Sequence, residues 1–328
     1  MRSICIWLCS LWLLPVAAHQ QEPPTRIALL VSDNYSKPVA DAIAILAGEP
    51  GFRDRFEIVT AQHGQAEVAS AAIVVCYVHT GQVVQRFATQ LEEAMAAGGS
   101  VYAVGTTPEA ANYQAMGMRF DGAVDAYFEH PSPANIAAMV KLLCDRHAGP
   151  SLNPPPPRTF PDHAIVDWRT GELFQDFDAF RQAHATEAPH APWVGLYGFR
   201  YEFVTEQADY LKAYARGLAD AGFNVLLFYG FPLEKSIRDF CLDGNGKARI
   251  AVLVNYSSLP GGTPEKLAET FTQLGVPVIN GITLSQPQAE WEQSTVGIPV
   301  ADRIRTLARP EIMGQVQPTV MATEETVT

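Results

Sequence analysis

Six side chains stand just beyond, or at the ends of, apolar runs in the second half of the chain: Arg200, Tyr201, Glu202, Tyr229, Asn255 and Asn280. Together they offer one fixed cation, one carboxylate, phenol rings and two amides. A guanidinium grips a carboxylate through two parallel N–H bonds, and an aromatic ring stacks on a conjugated plane. The set therefore suits a flat conjugated ligand that carries carboxylates. The same residues also have a plain structural reading, as ordinary loops in which Arg200 and Glu202 are solvated or paired.

Other chemistries find less support. His130, His147, His163, His184 and His190 are scattered through loops and Pro-containing stretches. No H-E-x-x-H or H-x-x-x-H pair and no C-x-x-C is present, so no protein-held metal is expected. No G-x-S-x-G follows an apolar run, which leaves acyl transfer without a nucleophile elbow. Neither G-x-G-x-x-G nor G-x-x-x-x-G-K-[ST] occurs, so no dinucleotide or ATP site is read. Past residue 18 the cysteines are Cys76, Cys144 and Cys241, an odd number set far apart, which does not make a disulfide framework. Cys76 lies inside an apolar run and reads as a buried core residue.

The elements that must position these groups alternate. Arg26–Val31, Phe56–Thr60, Ala72–Val78, Val101–Val104 and a short Val124–Phe128 read as strands, separated by amphipathic segments. After Pro154–Pro157, which fits neither a helix nor a central strand, the alternation resumes with Val194–Tyr197, Asn224–Tyr229, Arg249–Val254 and Val276–Ile279. Phe174, Phe177 and Phe180, spaced by three, read as a short helix docked on a core. Strands separated by crossover helices are parallel, so the fold class is α/β, with two doubly wound (Rossmann- or flavodoxin-like) units joined by a Pro-rich linker. In such sheets ligands bind beyond the carboxyl ends of the strands, where the six side chains stand.

The chain has 328 residues, 48% of them apolar, and a formal charge of -12. Length and composition allow two globular domains. The acidity excludes a general attraction to nucleic acid. Arg2, the apolar run Ile4–Leu14 and Val16-Ala-Ala18 read as a signal peptide cleaved after Ala18, and hence an exported, periplasmic protein. As a helix, Ile4–Ala18 would span about 22 Å, short of the roughly 30 Å hydrocarbon core. The boundaries read are a leader at 1–18, a first α/β unit at 19–148, a linker and bridging segment at 149–192, a second unit at 193–321 and a frayed tail at 322–328.

Four stretches of the second unit carry a resemblance. They are Val194-Gly-Leu-Tyr197 with Leu218-Ala-Asp-Ala-Gly-Phe-Asn224, Leu274-Gly-Val-Pro-Val-Ile279, Trp291-Glu-Gln-Ser-Thr-Val-Gly-Ile298 and Pro310-Glu-Ile-Met-Gly314. In order and spacing this stretch resembles the large subunit of the cobaltochelatase and magnesium chelatase family, of the CobN type. Met313 stands where the family usually has Asp. The resemblance implies binding of a tetrapyrrole, porphyrin or corrin, linked to insertion or removal of a divalent metal. It also implies partner subunits that hydrolyse ATP, or an uptake system in an exported setting. The family's chemistry lies mainly downstream of the matched region, so the resemblance assigns no catalytic residue here. Two rivals remain from the residues alone: a two-lobe solute-binding module, and a non-catalytic partner domain.

Overall fold

The computed structural model describes residues 23–61, 65–147, 151–184, 188–257, 261, 263–284 and 286–323. The leader read at 1–18 lies outside the described residues. So does most of the tail read at 322–328.

The first sheet is wholly parallel. Its strands are β1 (Thr25–Leu30), β2 (Phe56–Thr60), β3 (Ile73–Tyr77), β4 (Ser100–Val104) and β5 (Arg119–Phe120), in the order β2-β1-β3-β4-β5. Side chains of β1, β3 and β4 are buried on both faces, one set against Leu46, Ile136 and Leu143, the other against Val68, Leu91 and Ala94. This accounts for the continuous apolar runs of the sequence, since a sheet covered on both sides leaves no polar face. The fifth strand differs from the sequence reading: Val124–Phe128 belongs to the helix Gly122–Phe128, and the strand is Arg119–Phe120. Asp121 decides this by capping the helix, accepting from the Ala123 and Val124 amides at 2.9 and 3.2 Å.

The second sheet has seven strands in the order β12-β11-β10-β8-β9-β6-β7. Its parallel body is β8 (Trp193–Gly198), β9 (Asn224–Gly230), β10 (Val252–Asn255), β11 (Val278–Leu284) and β12 (Val316–Thr323). Two strands come from the bridging segment. β6 (His163–Val166) pairs antiparallel with β9, and β7 (Leu173–Phe174) pairs antiparallel with β6. The sheet thus begins about thirty residues before Trp193, and it ends on a strand that takes up Ala322 and Thr323. Phe177 and Phe180 are buried on the short helix Phe177–Ala183, as their spacing predicts, whereas Phe174, read with them, lies in β7 and packs edge-on against Phe180.

The parallel bodies share one topology: in each, the first strand is flanked by the second and the third. Each therefore has a switch point, β1/β3 in one and β8/β10 in the other, where successive connections leave to opposite faces and open a crevice. Polar staples hold the connection between the units. The Asn135 side chain accepts from the Arg158 amide and donates to the Arg158 carbonyl, each at 2.8 Å, and the Tyr127 hydroxyl donates to the Pro155 carbonyl at 2.7 Å. Cys76, Cys144 and Cys241 are buried free thiols, and burial pushes Cys76 up to about 12.

Close approach at the end of β9 depends on the missing side chain of Gly230. A Cβ there would collide with His163 Nδ1 and Ser236 Oγ, which hydrogen-bond to each other at 2.7 Å directly above it. Gly230→Ala is expected to cost about 1–3 kcal/mol in urea denaturation, in the range of other overpacking changes. Gly244→Ala, where an added Cβ meets nothing within 4 Å, is expected to stay within about 0.5 kcal/mol of wild type.

Candidate functional site

The carboxyl end of β8 meets the carboxyl end of β1. The loop after β8 opens the short helix Arg200–Val204, and both of its first side chains reach toward the first unit. Tyr201 donates its hydroxyl to the Asn34 carbonyl, and its ring stands edge-on to Tyr35 with centroids 5.3 Å apart. Tyr35 in turn packs on Tyr77, at the end of β3, at 5.0 Å, and on Phe128 at 5.1 Å. Phe199 lies 6.4 Å from Tyr201. A continuous band of aromatic rings therefore joins the β1/β3 switch point to the loop after β8.

Arg200 is the second link. Its Nε donates to the Pro161 carbonyl at 3.1 Å, and Nη2 donates to the Phe160 carbonyl at 2.9 Å and faces His130 Nδ1 at 3.0 Å. Asp162 lies at 3.8 Å. The guanidinium read from sequence as a fork for a ligand carboxylate is thus spent on the connection and on the first unit. Arg158, beside it, has its guanidinium over the Phe160 ring at 4.6 Å on an exposed surface, where it is open to an anion.

The remaining four expected residues are turned inward. Glu202 accepts from the Phe199 amide at 3.3 Å and from the Tyr210 hydroxyl at 2.8 Å, so its carboxylate stabilises the start of its own helix. Tyr229 is fully buried against Phe203, at 5.1 Å, and its hydroxyl has no hydrogen-bond partner among the described residues. Burial pushes that phenol up to about 12. Asn255 donates to Gln315 Oε1 at 3.0 Å and accepts from the Ser257 amide at 3.0 Å. Asn280 donates to the Thr306 carbonyl at 2.6 Å. These two amides sit in one row across the sheet with Tyr197, where they hold the loops that follow β10 and β11.

Of the six, then, Arg200 and Tyr201 are brought together at the junction of the units, and the other four shape the mouth from within. Tyr35, Tyr77, His79, His130 and Arg158 were missed. The order β2-β1-β3 is what makes the ends of β1 and β3 a crevice, and strand order has no signature in a single sequence. A shallow depression of about 440 Å³ lined by Phe177, Arg181, Trp193 and Arg249 lies elsewhere, at the amino end of β8. Arg249 there is already stacked on Phe177, 4.7 Å from the ring. The carboxyl ends are the better site on topological grounds.

His130 is buried, and its pKa is lowered, first by that burial and then by the Arg200 charge. The unfolded chain, with histidine near 6.5, binds the proton more readily. The contribution of neutral His130 is therefore fully present above about pH 6.5 and is lost as pH falls below it toward the folded pKa. His147 and His163 are lowered by burial too and act in the same window. Melting temperature should fall between about pH 7 and 5, and less steeply in His130→Gln. Arg200→Ala should lower stability by about 2–4 kcal/mol, with little recovery in Arg200→Lys, since an ammonium cannot reproduce the planar fork.

Comparison with known proteins agrees with this architecture. The family model described as CobN/Magnesium Chelatase matches residues 125–328. Among solved structures, the catalytic subunit of cobaltochelatase from Mycobacterium tuberculosis superposes with a TM-score of 0.59 at 18% identity, over 90% of this chain and 24% of that one. The chain thus spans about a quarter of that subunit's length, and the likeness is one of fold. The XylFII molecule (12% identity, covering 90% of this chain and 96% of that one) reaches a TM-score of only 0.22. A sugar ABC transporter protein from Yersinia enterocolitica (8% identity, 96% and 85%) reaches 0.21, and neither likeness carries an argument. A search of curated proteins finds no match. With the family model covering well over half of the sequence, the chain belongs to the CobN/magnesium chelatase family.

Proposed function

We propose that this chain binds a tetrapyrrole, a porphyrin or a corrin, where the carboxyl ends of its two sheets meet, as part of metal insertion or removal. The observation that carries the reading is the band of rings Tyr77–Tyr35–Tyr201 across the two switch points of a chelatase-family chain. Aromatic faces favour a conjugated macrocycle, and the exposed Arg158 guanidinium favours its carboxylates. The divalent metal is substrate on this reading, delivered to or taken from the macrocycle.

On this reading the chain's own residues bind and orient the macrocycle. The leader read at residues 1–18 supports an exported, periplasmic setting, and no described helix is long and apolar enough to cross a membrane. Outside the cytoplasm ATP-driven subunits lack their fuel, so metal exchange or transfer to an uptake system fits better than ATP-driven insertion.

Visible absorption titration of the chain from His19 with haem, protoporphyrin and a corrinoid tests this. A saturable band shift is expected for at least one, with Kd around the micromolar range (~8 kcal/mol). Tyr201→Ala should weaken it. Arg158→Glu should weaken protoporphyrin but not its dimethyl ester, which has lost the carboxylates. If no band shifts with any of the three, the family relationship is one of fold only.

A further inference from the structure

His79 follows β3 at the β1/β3 switch point, and its side chain is exposed. Its Nδ1 lies 2.7 Å from the Thr106 carbonyl. A carbonyl oxygen only accepts, so in the neutral ring the proton sits on Nδ1. The lone pair is then on Nε2, on the exposed side of the ring. This is the arrangement found behind metal-ligating histidines, in which one ring nitrogen donates to a backbone carbonyl and thereby fixes tautomer and orientation for the other.

Two further features keep the ring in place. His79 packs on Tyr77 with centroids 6.0 Å apart, and Tyr77 is the first ring of the band that runs to Tyr201. Gly105, with φ +88°, lets the backbone pass close beneath: a Cβ at 105 would meet the Tyr77 ring at 2.8 Å. The adjoining Thr106 carbonyl is thereby set against the imidazole.

A single imidazole does not hold a free metal ion. The described residues contain no cluster of three or more His, Cys, Asp or Glu able to do so. A metal already held by four macrocycle nitrogens needs only one more ligand along its axis, and an exposed, oriented imidazole supplies it. Imidazole nitrogen suits iron, cobalt or zinc better than magnesium.

Resting on the tetrapyrrole reading above, we propose that His79 is an axial ligand, through Nε2, to the transition metal of a metallated tetrapyrrole bound at the β1/β3 switch point. The Nε2 lone pair forms the coordinate bond. No proton is released, because the ring proton stays on Nδ1 in its bond to Thr106.

The test compares ferric haem with metal-free protoporphyrin on the wild-type chain and on His79→Ala. Wild type is expected to give a Soret shift typical of nitrogen ligation. His79→Ala should lose that shift and bind haem about 10-fold or more weaker. Added free imidazole should restore the band. Affinity for metal-free protoporphyrin should fall far less than affinity for haem, and an unchanged melting curve shows that the variant is folded. An identical haem spectrum and affinity in wild type and His79→Ala, with protoporphyrin still bound, overturns the His79 assignment alone. Failure of wild type to bind haem or protoporphyrin overturns the tetrapyrrole reading, and this assignment with it.

Discussion

Arg200 donates to two successive main-chain carbonyls, Phe160 and Pro161, and faces the ring of His130. Those partners belong to the connection and to the first unit, while the arginine itself starts the helix after β8. A charged donor to neutral acceptors in a partly buried place is worth more than an ordinary hydrogen bond. It also holds the start of the helix whose next residue, Tyr201, joins the aromatic band. Lowered basicity of His130 follows first from its burial and then from this same cation, toward which a protonated imidazole would point a proton.

Much of the fold was legible because a sheet covered on both faces writes itself as apolar runs. β1, β3, β8 and β9 fall where those runs fall, β10 begins at Val252, three residues into the run Arg249–Val254, and Thr263 with Pro264 marks the helix Pro264–Leu274 that Gly275 ends. What stayed hidden was pairing. β6 and β7 are short and begin in a segment rich in charge and proline, so nothing local says that Ala164 will lie beside Tyr229. β12 is an edge strand with an exposed first half, and its alternation is weak. Val124–Phe128 shows the limit of propensity: the residues suit a strand, and one capping carboxylate makes them a helix.

The candidate site was half legible for a related reason. Residue types at strand ends are visible in a sequence, but the partners that use up their donors are not. Glu202 and Asn255 look like binding groups until Tyr210 and Gln315 are seen to satisfy them. Conversely His79 stands alone after an apolar run, with no neighbour in the sequence to mark it as a ligand. Only the Thr106 carbonyl, 27 residues away, sets its tautomer. The resemblance in the second unit reached the family, and it gave no view of the first unit's contribution.

The stapled polyproline connection sets how the mouth between the sheets can move. Asn135 fixes it at Arg158 from the first unit, and Arg200 fixes it at Phe160 and Pro161 from the second. Only Thr159 lies between the two anchors, so both units are pinned to the same short stretch of the connection. A guest that enters therefore meets a frame already at its working width, and little of its affinity is consumed in closing one lobe upon another. Arrival and departure should then be governed by the door the guest passes through, giving single-exponential kinetics rather than the two phases of a clamshell.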